Sequence, residues 1–133
     1  MMKQIAAATL TALLGLTMAA VPILDRPSSA QTTPAPGTPE YAEFIRDLNK
    51  AKNFARQAAE RENGGLGYYR AEPSMHGLAS QSPYKDNGNG TWTFTFSGSR
   101  PGETTPCYES VVTVSRQDWR VNVDSNRSTC PNP

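Results

Sequence analysis

Few side chains in this sequence have both the chemistry and the setting for catalysis. The single histidine, His76, lies in a long segment without regular periodicity, whereas Glu109 and Arg120 lie in two predicted strands. A histidine acid, a carboxylate base and a cation that holds phosphate are what a small secreted ribonuclease needs. In a simple hairpin, however, Glu109 and Arg120 are separated by about 13 Å on one face of the sheet. A ribonuclease-like hydrolase built from these three residues is therefore the alternative, and we do not expect an enzyme.

The segment from Asp86 to Gly90 has the composition of a calcium loop without its spacing. An EF-hand loop takes side-chain oxygens from positions 1, 3 and 5 and a bidentate acid at position 12. Counted from Asp86, positions 3 and 5 are Gly88 and Gly90, and position 12 is Ser97. The Asn-Gly steps favour a tight turn instead. Zinc spacings, phosphate loops and dinucleotide fingerprints do not occur in the sequence, so we expect no metal and no cofactor.

The segment Pro73–Gly90 favours recognition of a partner. Met75, His76, Leu78 and Tyr84 bring apolar, aromatic and imidazole groups to a connection that does not require them for its own structure. Long irregular connections in compact domains commonly serve binding. We therefore predict a non-enzymatic module that binds another exported protein or a small ligand through these four residues, assisted by the loop Ser99–Pro106.

The loop Ser99–Pro106 also allows a third function, protease inhibition. Proline directly after Arg100 would hinder cleavage of the Arg100–Pro101 bond by a trypsin-like protease. The same dipeptide, followed by Gly102, equally suits an ordinary turn. The sequence is compatible with both interpretations.

One helix is predicted to support these segments. Thr38 can cap the helix, Pro39 suits its first turn, and Asn63-Gly64-Gly65 can end it. Between these limits, apolar residues recur at helical spacing and form a stripe that narrows from Phe44 and Leu48 to alanines. We expect this stripe to pack on a sheet.

The clearest strand signal is Thr91–Ser97, in which three aromatic residues alternate with threonines. Further strands are predicted at Leu66–Glu72, Tyr84–Lys85, Cys107–Val114 and Trp119–Asp124. For the last two, a simple hairpin register pairs Val114 with Trp119, Val112 with Val121, and Ser110 with Val123.

The predicted fold is therefore α+β, with one N-terminal helix packed on a three- to four-stranded antiparallel sheet. The expected core consists of the apolar residues that face each other across these two layers: Phe44, Ile45, Leu48, Trp92, Phe94, Phe96, Val112, Val114, Trp119, Val121 and Val123.

The N-terminus predicts export. Met1-Met2-Lys3 is a short positive region, an uncharged apolar run follows, and Ser28-Ser29-Ala30 provides a cleavage site. We expect residues 1–30 to be a signal peptide, residues 31–37 a disordered leader, and residues 38–133 a single domain. The predicted location is periplasmic or extracellular, with the thylakoid lumen as a possible destination.

Charge and cysteine content agree with this location. The chain has 13 Lys and Arg and 12 Asp and Glu, of which residues 1–30 hold two and one, so the mature protein is neutral. A neutral chain without basic runs offers no footprint for nucleic acid and no polybasic membrane patch. Cys107 and Cys130 are predicted to form a disulfide, as is usual in exported proteins. We expect a monomer that leaves the membrane once the signal peptide is cut.

Three segments together carry a family resemblance: Asn63-Gly64-Gly65-Leu66, Tyr69-Arg70-Ala71-Glu72-Pro73-Ser74-Met75-His76-Gly77 and Asn87-Gly88-Asn89-Gly90-Thr91-Trp92-Thr93-Phe94. In these segments the chain resembles a group of short, exported, uncharacterised cyanobacterial proteins over about residues 45–124. The resemblance implies export and transfers no activity. The layout of one helix on a curled antiparallel sheet is also similar to that of cystatin-like modules, an analogy that implies no inhibitory activity.

Overall fold

The computed structural model describes residues 33–132, and within this range one helix packs on a five-stranded antiparallel sheet. In chain order the elements are α1 (Pro39–Glu62), β1 (Arg70–Ala71), β2 (Tyr84–Asp86), β3 (Thr91–Ser99), β4 (Tyr108–Ser115) and β5 (Val121–Ser128). Two 3-10 turns, Pro73–Met75 and Ala79–Gln81, lie between β1 and β2. The predicted α+β class is confirmed. The predicted signal peptide and the first two residues of the predicted leader lie outside the described residues.

The limits of α1 are those that the sequence predicts. The Thr38 hydroxyl accepts a hydrogen bond from the Tyr41 amide at 3.2 Å, and Pro39 occupies the first turn. At the other end Gly64 and Gly65 have φ values of 92° and 94°, a conformation that glycine adopts without strain. The Gly65 amide donates to the Glu60 carbonyl at 2.7 Å and closes the helix end.

Strand β3 is the centre of the sheet. Strands β4 and β5 follow it on one side, and the short strands β1 and β2 share its other edge, at its C-terminal and N-terminal ends respectively. The alternation predicted for Thr91–Ser97 is confirmed, because Trp92, Phe94 and Phe96 are all buried. The strand runs two residues further than predicted and includes Gly98 and Ser99.

The core lies between α1 and this aromatic face. Phe44 meets Trp92 edge-on, with ring centroids 5.8 Å apart. Most of the predicted core residues are buried, and Ile45, Trp119, Val121 and Val123 are half-buried around them. Two fully buried residues, Tyr69 and Met75, were not in the predicted core.

The predicted strand Leu66–Glu72 is reduced to Arg70–Ala71. The Gly65 carbonyl accepts hydrogen bonds from the amides of both Tyr68 and Tyr69, each at 3.1 Å, so the chain turns again directly after α1. Leu66 and Tyr68 consequently lie at the surface, 61% and 68% exposed.

The predicted register of the β4–β5 hairpin is wrong by two residues. Val114 pairs with Val121 and Val112 with Val123, because Trp119 belongs to the turn and adopts a φ of 57°. A shift of two residues keeps the same side chains on the core face. A bulge beside Val111 and Val112 then brings Asn126, rather than Val123, opposite Ser110.

Candidate ligand-binding groove

The three catalytic candidates lie apart. Glu109 pairs with Arg127 of β5 at 2.6 Å, whereas Arg120 lies in the β4–β5 turn beside Asp118. The stretch of β4 between Glu109 and that turn places Arg120 about 20 Å away. His76 is exposed after a 3-10 turn beyond the other edge of β3. This arrangement does not provide a histidine, a carboxylate and a cation around one substrate.

The turn between β2 and β3 uses its oxygens internally. Asp86 accepts a hydrogen bond from the Gly88 amide at 2.9 Å, and Asn89 accepts from the Thr91 hydroxyl at 2.6 Å. Asn87 donates to the hydroxyls of Thr91 and Thr93. Among residues 33–132, the His, Cys, Asp and Glu side chains form no group of three or more that could hold a metal ion.

The segment Pro73–Gly90 offers less surface than predicted. Met75 is fully buried in the core, so it is not an exposed contact residue. It is the last residue of the 3-10 turn Pro73–Met75, and the irregular sequence pattern did not reveal its burial. Tyr84 is half-buried opposite Phe94, whereas His76 and Leu78 are exposed, Leu78 to 66%.

The buried Lys52 ammonium donates to the Gly77 carbonyl and holds this segment against α1. Burial lowers the pKa of Lys52, and the neighbouring Arg56 adds to the effect. Lys52 lies one helical turn after Leu48, on the apolar stripe. That position is the sequence signal that could have identified it as a buried contact.

The loop Ser99–Pro106, by contrast, builds a concave surface. Its tip is a tight turn in which the Glu103 amide donates to the Arg100 carbonyl at 3.0 Å, and Gly102 has a φ of 83°. Proline at the second position and a glycine with positive φ at the third fit a type II turn. The Arg100 guanidinium donates to the Pro131 carbonyl and so lies against the C-terminal tail. This turn differs from an extended reactive loop that would present Arg100 to a protease.

The groove formed by this turn has a volume of about 420 Å³, and we call it the Tyr68 groove. Its lining combines two aromatic rings, a proline, one cation and one anion: Gly67, Tyr68, Arg100, Pro101, Glu103 and Tyr108. Leu66 directly precedes this lining and is also exposed.

Tyr108, one wall of the Tyr68 groove, makes two contacts that hold it in place. Its hydroxyl donates to the Tyr68 carbonyl at 3.3 Å, and its ring packs edge-on against Tyr69 at 5.1 Å. Burial raises the pKa of Tyr69 to about 12, so this supporting ring stays uncharged at physiological pH.

A second groove, of about 390 Å³, lies on the other side of Tyr108. It is lined by Ser97, Pro106, Cys107, Tyr108, Glu109, Arg127 and Thr129. The disulfide between Cys107 and Cys130, predicted from the sequence, is confirmed and forms part of its rim.

Ser97 in this second groove donates its hydroxyl to Glu72 at 2.7 Å, which is the spacing of a nucleophile and its base. Burial alone would raise the pKa of Glu72. Hydrogen bonds from Ser74, the Ser97 hydroxyl and the Ser97 amide outweigh it and lower the pKa. A general base requires a pKa near the working pH. These hydrogen bonds, together with that from the Glu72 amide to the Ser97 carbonyl, attach the end of β1 to β3.

The groove cannot be assigned by likeness to known proteins. A scan against protein-family models, a search of curated proteins and a search of solved structures each returned no match. Within residues 33–132, no helix combines the length and the apolar character needed to cross a membrane.

Tyr68 and Tyr108 were not among the predicted site residues, because the sequence pattern places both in strands. The sequence signal that could have identified Tyr68 as a surface residue is the pair Gly64-Gly65. Two consecutive glycines favour a continued turn over a strand that begins at once. Tyr108 is on β4 as predicted. Its partners in the groove, Arg100 and Pro101, belong to a turn, and the periodicity of a strand does not predict where such a turn lies.

Proposed function

We propose that this protein is an exported, non-enzymatic domain that holds an extended polypeptide segment of a partner in the Tyr68 groove. The observation that carries the proposal is the exposure of Leu66 and Tyr68 beside a groove in which Tyr108 and Arg100 are held by hydrogen bonds. Large exposed apolar groups next to a concave surface are typical of interaction sites.

The chemistry of the groove fits a peptide. Tyrosine and arginine dominate the energetics of protein interfaces, because they combine a large contact area with hydrogen-bonding groups. Arg100 and Glu103 can each meet an opposite charge, and the two tyrosines can pack against proline or aliphatic side chains of an extended segment. Because Tyr108 is held by Tyr68 and Tyr69, binding requires little ordering of the wall.

Export of this domain is part of the proposal. A disulfide persists in oxidising compartments such as the periplasm or the extracellular space, and rarely in a reducing cytosol. The bond between Cys107 and Cys130 supports such a location, as does the predicted signal peptide. We propose a monomer that meets its partner after export.

The test compares two residues of nearly equal exposure in different loops. Peptides are selected from a random display library on the mature protein with its disulfide intact, and their affinity is measured by titration calorimetry. We expect Tyr68→Ser to weaken binding at least tenfold, because tyrosine is a typical anchor of such sites, and Leu66→Ser, which lies beside the lining, to weaken it by a smaller factor. Leu78→Ser is the matched control, since Leu78 is 66% exposed and Tyr68 is 68% exposed.

Thermal unfolding of all three variants checks that the fold is kept. A loss of affinity in Leu78→Ser with none in Tyr68→Ser would move the binding surface to the Pro73–Gly90 segment and contradict the proposal. Selected peptides that bind all variants equally would also contradict it.

A further inference from the structure

Away from the Tyr68 groove, two aromatic rings form a corner between α1 and the β4–β5 turn. Phe54 of α1 and Trp119 of the turn meet edge-on, with centroids 6.0 Å apart and planes at 84°. The Lys50 ammonium nitrogen lies 3.9 Å from the Trp119 centroid and 5.6 Å from the Phe54 centroid. A cation thus occupies a space bounded by two aromatic rings.

The rings, rather than a carboxylate, determine where this ammonium lies. Lys50 makes no ion pair within the described part of the chain. The nearby acids are already engaged: Asp47 pairs with Arg116 at 2.8 Å, and Asp118 pairs with Arg120 at 3.6 Å. The exposed lysine rests on the faces of both rings, and the quadrupole of such faces attracts positive charge.

The tryptophan residue of this corner has an unfavourable backbone conformation. Trp119 has a φ of 57° and is the one residue other than glycine with positive φ between residues 33 and 132. Such a conformation is unfavourable for a bulky side chain and persists only where the surroundings enforce it. Two hydrogen bonds hold the turn. The Ser115 amide donates to the Arg120 carbonyl at 2.9 Å, and the Arg116 amide donates to the Gly90 carbonyl at 2.8 Å.

We propose that Phe54 and Trp119 form a binding site for an ammonium ligand of the trimethylammonium class, and that Lys50 is its tethered occupant. A trimethylammonium group presents a diffuse positive charge and a methyl surface, which two aromatic faces accommodate together. Lys50 is on a flexible four-carbon stem and can swing into solvent when the ligand enters. This site lies at the β4–β5 turn, whereas the Tyr68 groove lies beside the loop that connects β3 to β4. The proposal for one site can therefore be disproved without affecting the proposal for the other.

The tethered lysine competes with the ligand, and this competition has a measurable size. A cation–π contact at an exposed site keeps the corner occupied by Lys50 about four times out of five. Lys50→Ser removes the competitor and should therefore bind choline about fivefold more tightly than the wild-type protein. For a single small cation we expect dissociation constants in the range of about 1–50 mM.

The readout is NMR of the tryptophan indole N–H resonances during titration with choline. The chain has two tryptophans, and the buried Trp92 is an internal reference for effects that are not local. We expect a saturable shift of the Trp119 resonance in the wild-type protein, an approximately fivefold tighter transition in Lys50→Ser, and its loss in Phe54→Leu. Lys85→Ser, which removes an exposed lysine on β2, should bind as the wild type does.

Two further ligands decide whether charge is recognised. The neutral isostere 3,3-dimethylbutan-1-ol should give no saturable shift, and equal shifts with this alcohol would overturn the proposal. Phosphatidylcholine vesicles present the same cation as a lipid headgroup, and their binding supports the site only if Phe54→Leu abolishes it. The proposal is also overturned if Lys50→Ser binds choline no more tightly than the wild type.

Discussion

Replacement of Gly98 by alanine should be among the most damaging small changes in this protein. A Cβ atom at this position would lie 2.2 Å from Cε2 and 2.7 Å from Cζ of Tyr69, and 2.9 Å from the Arg70 carbonyl oxygen. Favourable carbon–carbon contacts lie at about 3.5–4.0 Å, so the Tyr69 ring would have to move by more than 1 Å. Tyr69 is fully buried and packs edge-on against Tyr108, which leaves it little space.

The expected cost of Gly98→Ala is about 3 kcal/mol of unfolding free energy, the upper part of the range for overpacked cores. This value is a net effect, because alanine otherwise suits a strand better than glycine by about 0.5–1 kcal/mol. For a domain of this size, such a loss corresponds to a decrease in Tm of roughly 15 °C. Urea denaturation followed by tryptophan fluorescence measures the free energy, and calorimetry measures Tm.

Two controls isolate the contact between Gly98 and the ring. Gly67→Ala adds a methyl group where no atom lies within 4 Å, and it should change stability by less than about 0.5 kcal/mol. In a Tyr69→Ala background the ring is gone and only the 2.9 Å approach to the Arg70 carbonyl remains, so Gly98→Ala should cost at least about 1 kcal/mol less there than in the wild type. If Gly98→Ala costs the same in both backgrounds, close packing of Tyr69 on Gly98 is not the cause and the argument is refuted.

Two further predictions concern charged groups that attach the Pro73–Gly90 segment. Because the pKa of Glu72 is lowered in the fold, its contribution to stability is present above its unfolded value of about 4.5 and is lost as pH falls through the folded pKa. Glu72→Gln should therefore cost about 1 kcal/mol at pH 7 and nothing at strongly acidic pH, measured by urea denaturation; an equal cost at both pH values would contradict the prediction. The pKa of Lys52 is also lowered in the fold. Between the folded pKa and the unfolded value of 10.5, the unfolded chain therefore binds more protons than the folded one. As pH rises through this range, the wild type should gain stability relative to Lys52→Met. At neutral pH Lys52→Met should also speed hydrogen exchange around Gly77, since the carbonyl there loses its donor; unchanged exchange together with a flat stability difference would disprove the buried contact.

The sequence predicted correctly those features of the fold that depend on a few neighbouring residues. The Thr38 cap, the glycines after α1 and the alternation of Thr91–Ser97 each act over a few residues, and each is confirmed. The hairpin register failed because Trp119 occupies a backbone conformation that its type disfavours, which only tertiary contacts can enforce. Periodicity could not identify the burial of Met75, because a 3-10 turn has neither helical nor strand spacing.

The site was harder to predict because it depends on separated segments. Tyr68, Arg100 and Tyr108 lie far apart in the chain and meet only because β1 pairs with the end of β3, while β4 returns beside it. The sequence predicted the Ser99–Pro106 loop as a contact surface, and three residues of this loop, Arg100, Pro101 and Glu103, line the Tyr68 groove. It could not show that Arg100 points to Pro131 or that Leu66 and Tyr68 leave the sheet.

The position of the disulfide connects stability to the proposed function. Cys107 immediately precedes Tyr108, and Cys130 immediately precedes Pro131, whose carbonyl holds Arg100. A single covalent bond thus fixes the strand that carries one wall of the Tyr68 groove and the tail that orients another. A disulfide stabilises a fold of this size wherever the native geometry accommodates it, because it constrains the unfolded chain. Only a disulfide at this end also pre-organises the groove, which lowers the entropy lost when a ligand binds.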